Sequence, residues 1–455
     1  MRGNASSAGT TTTDAAAALR GAWLASGGEE AALDRVRFTG PDDVVPSVFP
    51  ATAVASGVVA ATTLAAAEPD AEVEVDRTHA TVACRSERYL DVERLPRAGD
   101  GLLGGDLRAA DGWIRIHTLY PHHREAARAV LGGARGDAFV TAVAAWRAED
   151  LQEAVVAAGG AAARMRTAEE WAAHPQGARV RDLPLIDVGK VGDGPPVADG
   201  RFRVLDLTRV IAGPTASKIL AAHGADVLRI EPPDFPESPV LTVDTGFGKR
   251  VATVDLRSAD GRAAVEALVR DTDVVVHGFR PGALDGLGLG EQRLAELRPG
   301  VVLASLSAWG GVGPWTGRRG FDSLVQMASG IAAAGKDAAG ADHPVPLPMQ
   351  LLDHGTAWLL ALGVLQARRR QREGGGTWRV SAALARTGAW LQDLGPGPGL
   401  GLADVGGADV ERYLDEMPSA WGRLRFVRPP GLIAGRAPSW AKAPEPPGTS
   451  PPGWN

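Results

Sequence analysis

The sequence of 455 residues contains a single cysteine, Cys84, so the chain has no internal disulfide bond. A chain of this length buries a sufficient core without one, and the composition fits a reducing compartment. The sequence also lacks an apolar run approaching the length of a membrane span of about 18 residues. Its polar N-terminus lacks the apolar core of a secretory signal. We therefore expect a cytoplasmic, soluble protein with no membrane partner.

Positive charge is not in excess either. The formal net charge is −6 at pH 7, which provides no overall basic field to attract nucleic acid. We predict no nucleic-acid partner, and any polyanionic ligand would require a local cluster of cations.

Several catalytic motifs are missing. There is no G-x-S-x-G, no Walker A loop and no H-E-x-x-H. The sequence therefore lacks the motifs that usually indicate a hydrolase or a nucleoside triphosphatase. The spacing of His277, His343 and His354 matches no zinc pattern, and we predict no metal site. Cys84 lies in an apolar context without a nearby histidine, which favours a buried structural thiol.

What the sequence does contain divides into six segments. Small apolar residues, helical patterns and Gly/Pro-rich stretches mark the boundaries. We predict an N-terminal helical arm (1–44), an apolar helix and strand (45–99), a small α+β domain (100–185), a linker (186–200), a large domain (201–400) and a Gly/Pro-rich extended tail (401–455).

The large domain alternates strands and helices. "RVLDLT", "ADVLRIE", "DVVVHGF" and "VVLASLSAWG" have the pattern of strands, and helical stretches separate them. This spacing predicts an α/β fold with a Rossmann-like, doubly wound parallel sheet, next to the smaller α+β domain. The first strand-loop-helix has one glycine, Gly213, where a dinucleotide fingerprint needs three, so we do not predict NAD binding.

An internal similarity links two distant helices. "VPSVFPATAVASGVVAATTL" and "VPLPMQLLDHGTAWLLALGV" both begin with Val-Pro and lead to a turn and a strand. In this alignment segment 45–99 resembles 345–391, and Ala53 falls opposite Asp353. The two alternatives are a degenerate repeat and a chance coincidence between apolar helices.

The polar residues that are candidates for a functional site could also have ordinary structural roles. Lys249, Arg250, Arg280 and Arg319 lie after strands or in loops of the large domain, where ligand crevices form, although most such cations are simply solvated. Asp353, before a long apolar stretch, is an acceptable N-cap of a helix that extends through Arg370. The helix dipole would also keep its carboxylate ionised and nucleophilic, so capping and catalysis are compatible.

Three runs resemble the family III CoA-transferases, the group that includes formyl-CoA transferase, carnitine CoA-transferase and α-methylacyl-CoA racemases. They are "VLDLTRVIAGPTASKILAAHGADVLRIEPP", "GKRVATVDLRSADGRAAVEALVRDTDVVVHGFRPGALDGLGLG" and "LRPGVVLASLSAWGGVGPWTGRRGFDSLVQMASG". The similarity covers about residues 203–391. It implies a Rossmann-like large domain, a small α+β domain and a homodimer of interlocked chains.

The resemblance also implies a reaction. In "LLDHGTA", Asp353 matches the aspartate that attacks the acyl-CoA thioester, giving a mixed anhydride and then an aspartyl-CoA thioester that a carboxylic acid attacks. Such chemistry needs no permanently bound cofactor, because CoA arrives as part of the substrate. Residues matching CoA contacts, or lying with them in the same loops, are Ile211, Ala212, Lys249, Phe279, Arg280 and Arg319.

Some features depart from the family pattern. Gly278 replaces an asparagine common at the CoA site, and Phe321 replaces the histidine of the racemases. The segment resembling the small domain precedes the large domain instead of following it. The alternatives to a CoA-transferase are therefore an acyl-CoA racemase or isomerase, which needs a base on each face of the substrate, and a non-catalytic acyl-CoA-binding homologue.

Overall fold

The computed structural model of the chain describes residues 14–95, 104–198 and 200–454. Three small sheets and one large sheet form in this part of the protein. No helix within these ranges is both long enough and apolar enough to span a membrane. The first thirteen residues of the predicted N-terminal arm lie outside the described residues.

The N-terminal unit consists of two packed helices and a short parallel sheet. Asp14 caps the first helix by accepting the N–H of Ala17 at 2.8 Å. Gly57 lets the two helices approach closely, since a Cβ at this position would lie 2.6 Å from the backbone nitrogen of Leu19. The elements are α1 (Ala15–Ala25), β1 (Val36–Thr39), α2 (Ala51–Ala66), β2 (Val73–Asp76), α3 (Arg77–Ala83) and β3 (Asp91–Val92).

The next unit is a small α+β layer. Its antiparallel sheet has the order β4-β5-β6, and hydrogen bonds join the unit to the large domain: the N–H of Arg166 donates to the carbonyl of Met327 at 3.0 Å, and Gln176 Nε2 to that of Trp309 at 2.8 Å. The elements are β4 (Gly105–Arg108), β5 (Trp113–Ile116), α4 (Pro121–Val130), α5 (Asp137–Ala144), α6 (Ala148–Ala157), β6 (Ala162–Arg164), α7 (Ala168–Ala173) and α8 (Pro175–Arg181).

The large domain confirms the predicted α/β class. Its elements are β7 (Asp187–Gly192), β8 (Arg203–Leu207), α9 (Ala212–Ala222), β9 (Asp226–Glu231), α10 (Pro239–Asp244), β10 (Lys249–Thr253), α11 (Ala259–Arg270), β11 (Val274–His277), α12 (Glu291–Leu297), β12 (Val302–Ser307), α13 (Asp322–Ala328), α14 (Ile331–Ala339), α15 (Leu351–Gly374), β13 (Thr377–Ala383) and α16 (Leu384–Asp393).

The order of the large sheet is β10-β9-β8-β11-β12-β13-β7. The first six strands are parallel, and β7 pairs antiparallel with β13. This is the doubly wound order with an added edge strand, which comes from the segment that we predicted as a linker. The direction of winding reverses between β8 and β11, and a crevice forms outside the carboxyl ends of strands at such a point.

Helix α15 is the central helix of the core. Residues 351–364 are all buried, and α2 packs along α15, with Thr62 Oγ1 donating to the carbonyl of Trp358 at 2.9 Å. Ala53 and Asp353 are each the third residue of their helix, and each helix is followed by a strand and another helix.

The C-terminal segment contains more structure than its Gly and Pro content indicates. Trp440 Nε1 donates to the carbonyl of Lys218 and Trp454 Nε1 to that of Leu268, both at 3.0 Å, so the segment packs on the large domain. Its elements are α17 (Ala408–Glu411), β14 (Leu414–Ser419), β15 (Gly422–Val427) and β16 (Leu432–Ile433).

Candidate active site

A cavity of about 320 Å³ lies at the switch point of the large sheet. Its floor follows the carboxyl ends of the strands: Thr208 comes after β8, Phe279 after β11, Ala308 after β12 and Leu384 after β13. This is the position at which doubly wound folds bind ligands. A second cavity of about 570 Å³ shares Phe279 and Arg280 with it, so the two volumes form one groove.

The opposite wall comes from the small α+β unit. Tyr120, His122 and His123, at the start of α4, line the cavity. His117 stacks on Phe321, with the ring centroids 3.5 Å apart. Neither ring nitrogen of His123 has a hydrogen-bond partner in the described part of the chain, and burial lowers the pKa of His123 to about 3. This wall is therefore largely uncharged at neutral pH.

Asp353 is the only carboxylate among the described residues that line the cavity. It is 6% exposed and lies in the first turn of α15. The prediction that Asp353 is the N-cap is wrong, since Gln350 occupies that position and makes no side-chain cap. The cap comes instead from Asp322, whose Oδ2 accepts the N–H groups of Leu352 at 2.8 Å and of Asp353 at 3.1 Å.

The same arrangement changes the electrostatics of Asp353. Burial, followed by the nearby charges of Asp322 and Glu87, raises the pKa of Asp353 well above that of an ordinary aspartate. Burial also raises the pKa of Asp322 to about 6, although Gln326 and the two N–H groups of α15 oppose the shift. The N–H groups at the start of α15 therefore stabilise the carboxylate of Asp322, which they bind, and not that of Asp353.

Two arginines bring positive charge to the groove. Arg280 is exposed, and Arg319 is half-buried and donates to the carbonyl of Gly159 at 2.8 Å. Burial and the charge of Arg280 lower the pKa of Arg319, and both residues line the cavity. Arg318 also lines the cavity, but both of its terminal nitrogens bind Glu153, at 2.8 and 2.7 Å.

The cavity brings together most of the residues identified from the sequence. They are Asp353, Ala212, Phe279, Arg280 and Arg319. The stretch "YPHHREAA" has only the pattern of a helix start and gives no sign that its residues form a wall of the cavity, and no local pattern indicates that Asp322 caps α15.

Three residues identified from the sequence do not line the cavity. Arg250 instead binds Asp226, with its Nη2 3.1 Å from both carboxylate oxygens. Ile211 is buried directly before α9. Lys249 has no exposed surface, and its Nζ lies 3.0 Å from Asp206 Oδ2, 2.6 Å from the carbonyl of Pro214 and 2.7 Å from Ser217 Oγ. Lys249 therefore joins β10 to β8 and α9 inside the domain.

Comparison with known proteins gives a consistent result. Residues 199–397 match the model of CoA-transferase family III. A probable fatty acyl-CoA transferase of Mycobacterium tuberculosis is 33% identical over 223 residues, which cover 46% of this chain and 54% of that protein. A formyl-CoA:oxalate CoA-transferase of Rhodopseudomonas palustris is 32% identical over 194 residues, 40% of this chain and 45% of that protein.

A third relative is the succinyl-CoA–D-citramalate CoA-transferase of Chloroflexus aurantiacus, which is 34% identical over 200 residues, 40% of this chain and 48% of that protein. A crystal structure of a hypothetical protein of Mycobacterium tuberculosis has 33% sequence identity and a TM-score of 0.38, covering 44% of this chain and 57% of the other. The chain spans about half the length of these curated relatives. Over residues 199–397, which include the cavity floor and Asp353, the chain is similar to CoA-transferase family III.

Proposed function

We propose that this protein transfers CoA from an acyl-CoA thioester to a carboxylic acid, with Asp353 as the nucleophile. The observation that carries the proposal is the position of Asp353, the one carboxylate in the described wall of a cavity at the switch point of a CoA-transferase domain. Its oxygens accept no hydrogen bond from the described residues, so they are available to a substrate.

The proposed reaction proceeds through covalent intermediates on Asp353. A carboxylate oxygen attacks the thioester carbonyl, the carbon–sulfur bond breaks, and a mixed anhydride and the CoA thiolate form. The thiolate attacks the aspartyl carbonyl, which releases the first carboxylic acid as its anion and leaves an aspartyl-CoA thioester. The acceptor carboxylate then repeats the sequence in reverse, so that a new acyl-CoA leaves and the Asp353 carboxylate is restored.

This sequence requires an ionised Asp353, although burial and neighbouring carboxylates favour its neutral form. A poorly solvated carboxylate is a stronger nucleophile once it ionises, because little water has to be removed from it. Net proton transfer is not needed, and neither a metal nor a redox cofactor takes part in the proposed steps.

Binding of CoA is assigned to the groove. We propose that Phe279 packs along the nucleotide, that Arg280 and Arg319 pair with anionic groups of CoA, and that the Ala212 backbone lies beside the thioester. Ile211 and Lys249 contribute indirectly, by fixing the start of α9 behind this loop. We further propose a cytoplasmic homodimer, with interlocked chains as the family resemblance favours.

Covalent trapping tests the proposal. The protein is incubated with a panel of acyl-CoA thioesters and then analysed by intact-protein and peptide mass spectrometry. Added hydroxylamine converts an activated Asp353 carboxyl into a stable hydroxamate. We expect modification of Asp353 in the native protein and in Asp70→Ala, a control that removes an exposed aspartate, but not in Asp353→Ala. Acyl-CoA binding without any modification of Asp353 would favour a non-catalytic binding protein.

A further inference from the structure

The first turn of α15 receives a contact from the N-terminal unit. Glu87, in a single turn after α3, places its Oε2 3.1 Å from Nε2 of His354, the residue next to Asp353. The His354 side chain has no exposed surface, and that of Glu87 is 15% exposed. Glu87 precedes the family III domain in the sequence and does not line the cavity of Asp353.

This contact defines the orientation of the His354 ring. Burial opposes ionisation of Glu87, but the hydrogen bond and the attraction from His354 outweigh it and lower the pKa of Glu87. An ionised carboxylate only accepts hydrogen bonds, so Nε2 carries the ring proton and donates it to Glu87. His354 Nδ1 is buried and has no partner among the described residues. Within the described chain, Glu87 thus supplies the one hydrogen bond to this imidazole.

Other contacts dock the N-terminal unit along the rest of α15. Gln366 Nε2 donates to Ser26 Oγ at 3.3 Å, and Arg370 Nη2 donates to the carbonyl of Ser26 at 2.8 Å. With the bond from Thr62 to Trp358 described above, the helix is held at its start, middle and end by residues of the same chain. The N-terminal unit therefore packs as part of the domain that contains the cavity.

We propose that Glu87 is a positioning residue for the transferase reaction proposed above and that it acts on Asp353 of its own chain. The proposal rests on the proposed function. Glu87 fixes His354, and His354 fixes the turn that presents the adjacent carboxylate to the thioester carbonyl. A displacement of about 1 Å at a reacting group can cost about a hundredfold in rate, so a single contact of this kind has a measurable effect.

Two near-isosteric changes separate position from charge. Glu87→Gln keeps an acceptor at the same distance without the charge, whereas Glu87→Asp keeps the charge but withdraws the acceptor by one methylene. We expect Glu87→Gln to retain kcat within about threefold and Glu87→Asp to lose about tenfold or more, both with an unchanged KM for acyl-CoA. The control Glu72→Asp alters an exposed carboxylate of the same unit and leaves both constants unchanged.

The opposite order of the two variants, or a change confined to KM, would overturn the positioning role. Circular dichroism and melting curves establish that each variant is folded before its rate is compared. If the native protein forms no adduct with any thioester, the proposed function fails, whereas the contact itself is still tested by the ¹⁵N resonances of His354. A proton on Nε2 supports the contact, and a proton on Nδ1 contradicts it.

Mixing an inactive chain with an impaired one tests whether Glu87 and Asp353 act within one chain. Asp353→Ala and Glu87→Asp chains are co-expressed with different tags, and mixed dimers are isolated if they form. We expect no recovery of activity in the mixture. If Glu87 instead served the partner's Asp353, one of the two sites in each isolated mixed dimer would be native, and that recovery would refute the same-chain arrangement.

Discussion

Asp322 and Asp353 are joined through the first turn of α15, where Asp322 Oδ2 accepts the N–H of Asp353 at 3.1 Å. A helix N-terminus stabilises one nearby anion through its free N–H groups and dipole. Here the capping anion is Asp322, and Asp353 lies next to it without the same benefit. The two carboxyl groups therefore compete for one favourable position, and this competition contributes to the raised pKa of Asp353.

Replacing Asp322 with asparagine should shift the pH dependence of catalysis. The change removes the like charge that raises the pKa of Asp353 most. The pKa of Asp353 therefore falls, and the acid limb of the rate of adduct formation moves to lower pH. Glu87 and His354 are the other titratable groups close to Asp353, and they remain in place. An acid limb that stays at the same pH in Asp322→Asn would contradict the electrostatic coupling.

The same substitution carries a predictable cost in stability. Asp322 Oδ1 accepts a hydrogen bond from Gln326 Nε2 at 2.5 Å, while Gln326 Oε1 accepts the N–H of Leu347 at 2.8 Å. In Asp322→Asn, the side-chain NH₂ group faces another N–H donor in either orientation of the amide, either Gln326 Nε2 or the N–H groups at the start of α15. One donor is left unsatisfied, so the free energy of unfolding should fall by about 1–3 kcal/mol. Adding Gln326→Glu supplies an acceptor and should restore part of the loss, which denaturant unfolding measures.

Asp353→Asn should stabilise the protein at neutral and alkaline pH. The folded-state pKa of Asp353 is raised, so between the unfolded and folded pKa values the folded state binds more protons. Stability is then fully present below the unfolded pKa and is lost as the pH rises through the folded pKa. Asparagine mimics the neutral form and avoids this loss.

The measurement is the melting temperature of both proteins across pH. The advantage of Asp353→Asn should grow from acidic to alkaline pH, by about 1 °C for each kcal/mol gained in a protein of this size. Asp70→Asn, which alters an exposed aspartate, should show no such trend. A difference in melting temperature that is constant across pH would exclude titration of Asp353 as its cause.

Arg280 and Arg319 should determine affinity for acyl-CoA more than stability. Arg280→Gln and Arg319→Gln each remove a charge that the structure leaves available to an anion, and the KM for acyl-CoA should rise about tenfold. Arg318→Gln is the matched control, because Arg318 is already bound to Glu153. Arg318→Gln should lower the melting temperature and leave KM nearly unchanged. Equal KM values in all three variants would place CoA elsewhere.

The sequence predicted the α/β class well because the signals of this class are local. Apolar strand runs such as Val274–Val276, which are fully buried, alternate with helices at spacings that require parallel crossovers. Asp353 was identified by resemblance, since its local context reads as an ordinary helix start. The actual cap, Asp322, lies 31 residues away in the sequence, and only the packing of α13 on α15 brings them together.

Contacts between distant segments account for what the sequence could not predict. Glu87 and His354 are separated by 267 residues, and no periodicity connects them. The wall of Tyr120 and His123 depends on how the small unit docks on the large domain. The edge strand β7 forms in a stretch of glycine, proline and aspartate because it pairs with the edge of β13. Local strand propensity does not predict such a pairing.

The family resemblance and the structure give different roles to Lys249. The resemblance assigns it to CoA, but its ammonium group is buried and bound to Asp206. Lys249→Met would remove the cation that is ion-paired with the buried Asp206, which costs about 3–5 kcal/mol. Adding Asp206→Asn removes the remaining buried charge and should recover part of the loss.

We expect urea unfolding to show this pattern in the free energies of unfolding. Calorimetry on the folded double variant should give an acyl-CoA affinity close to that of the native protein. A large loss of affinity in a stably folded double variant would instead mean that Lys249 turns outward and contacts CoA.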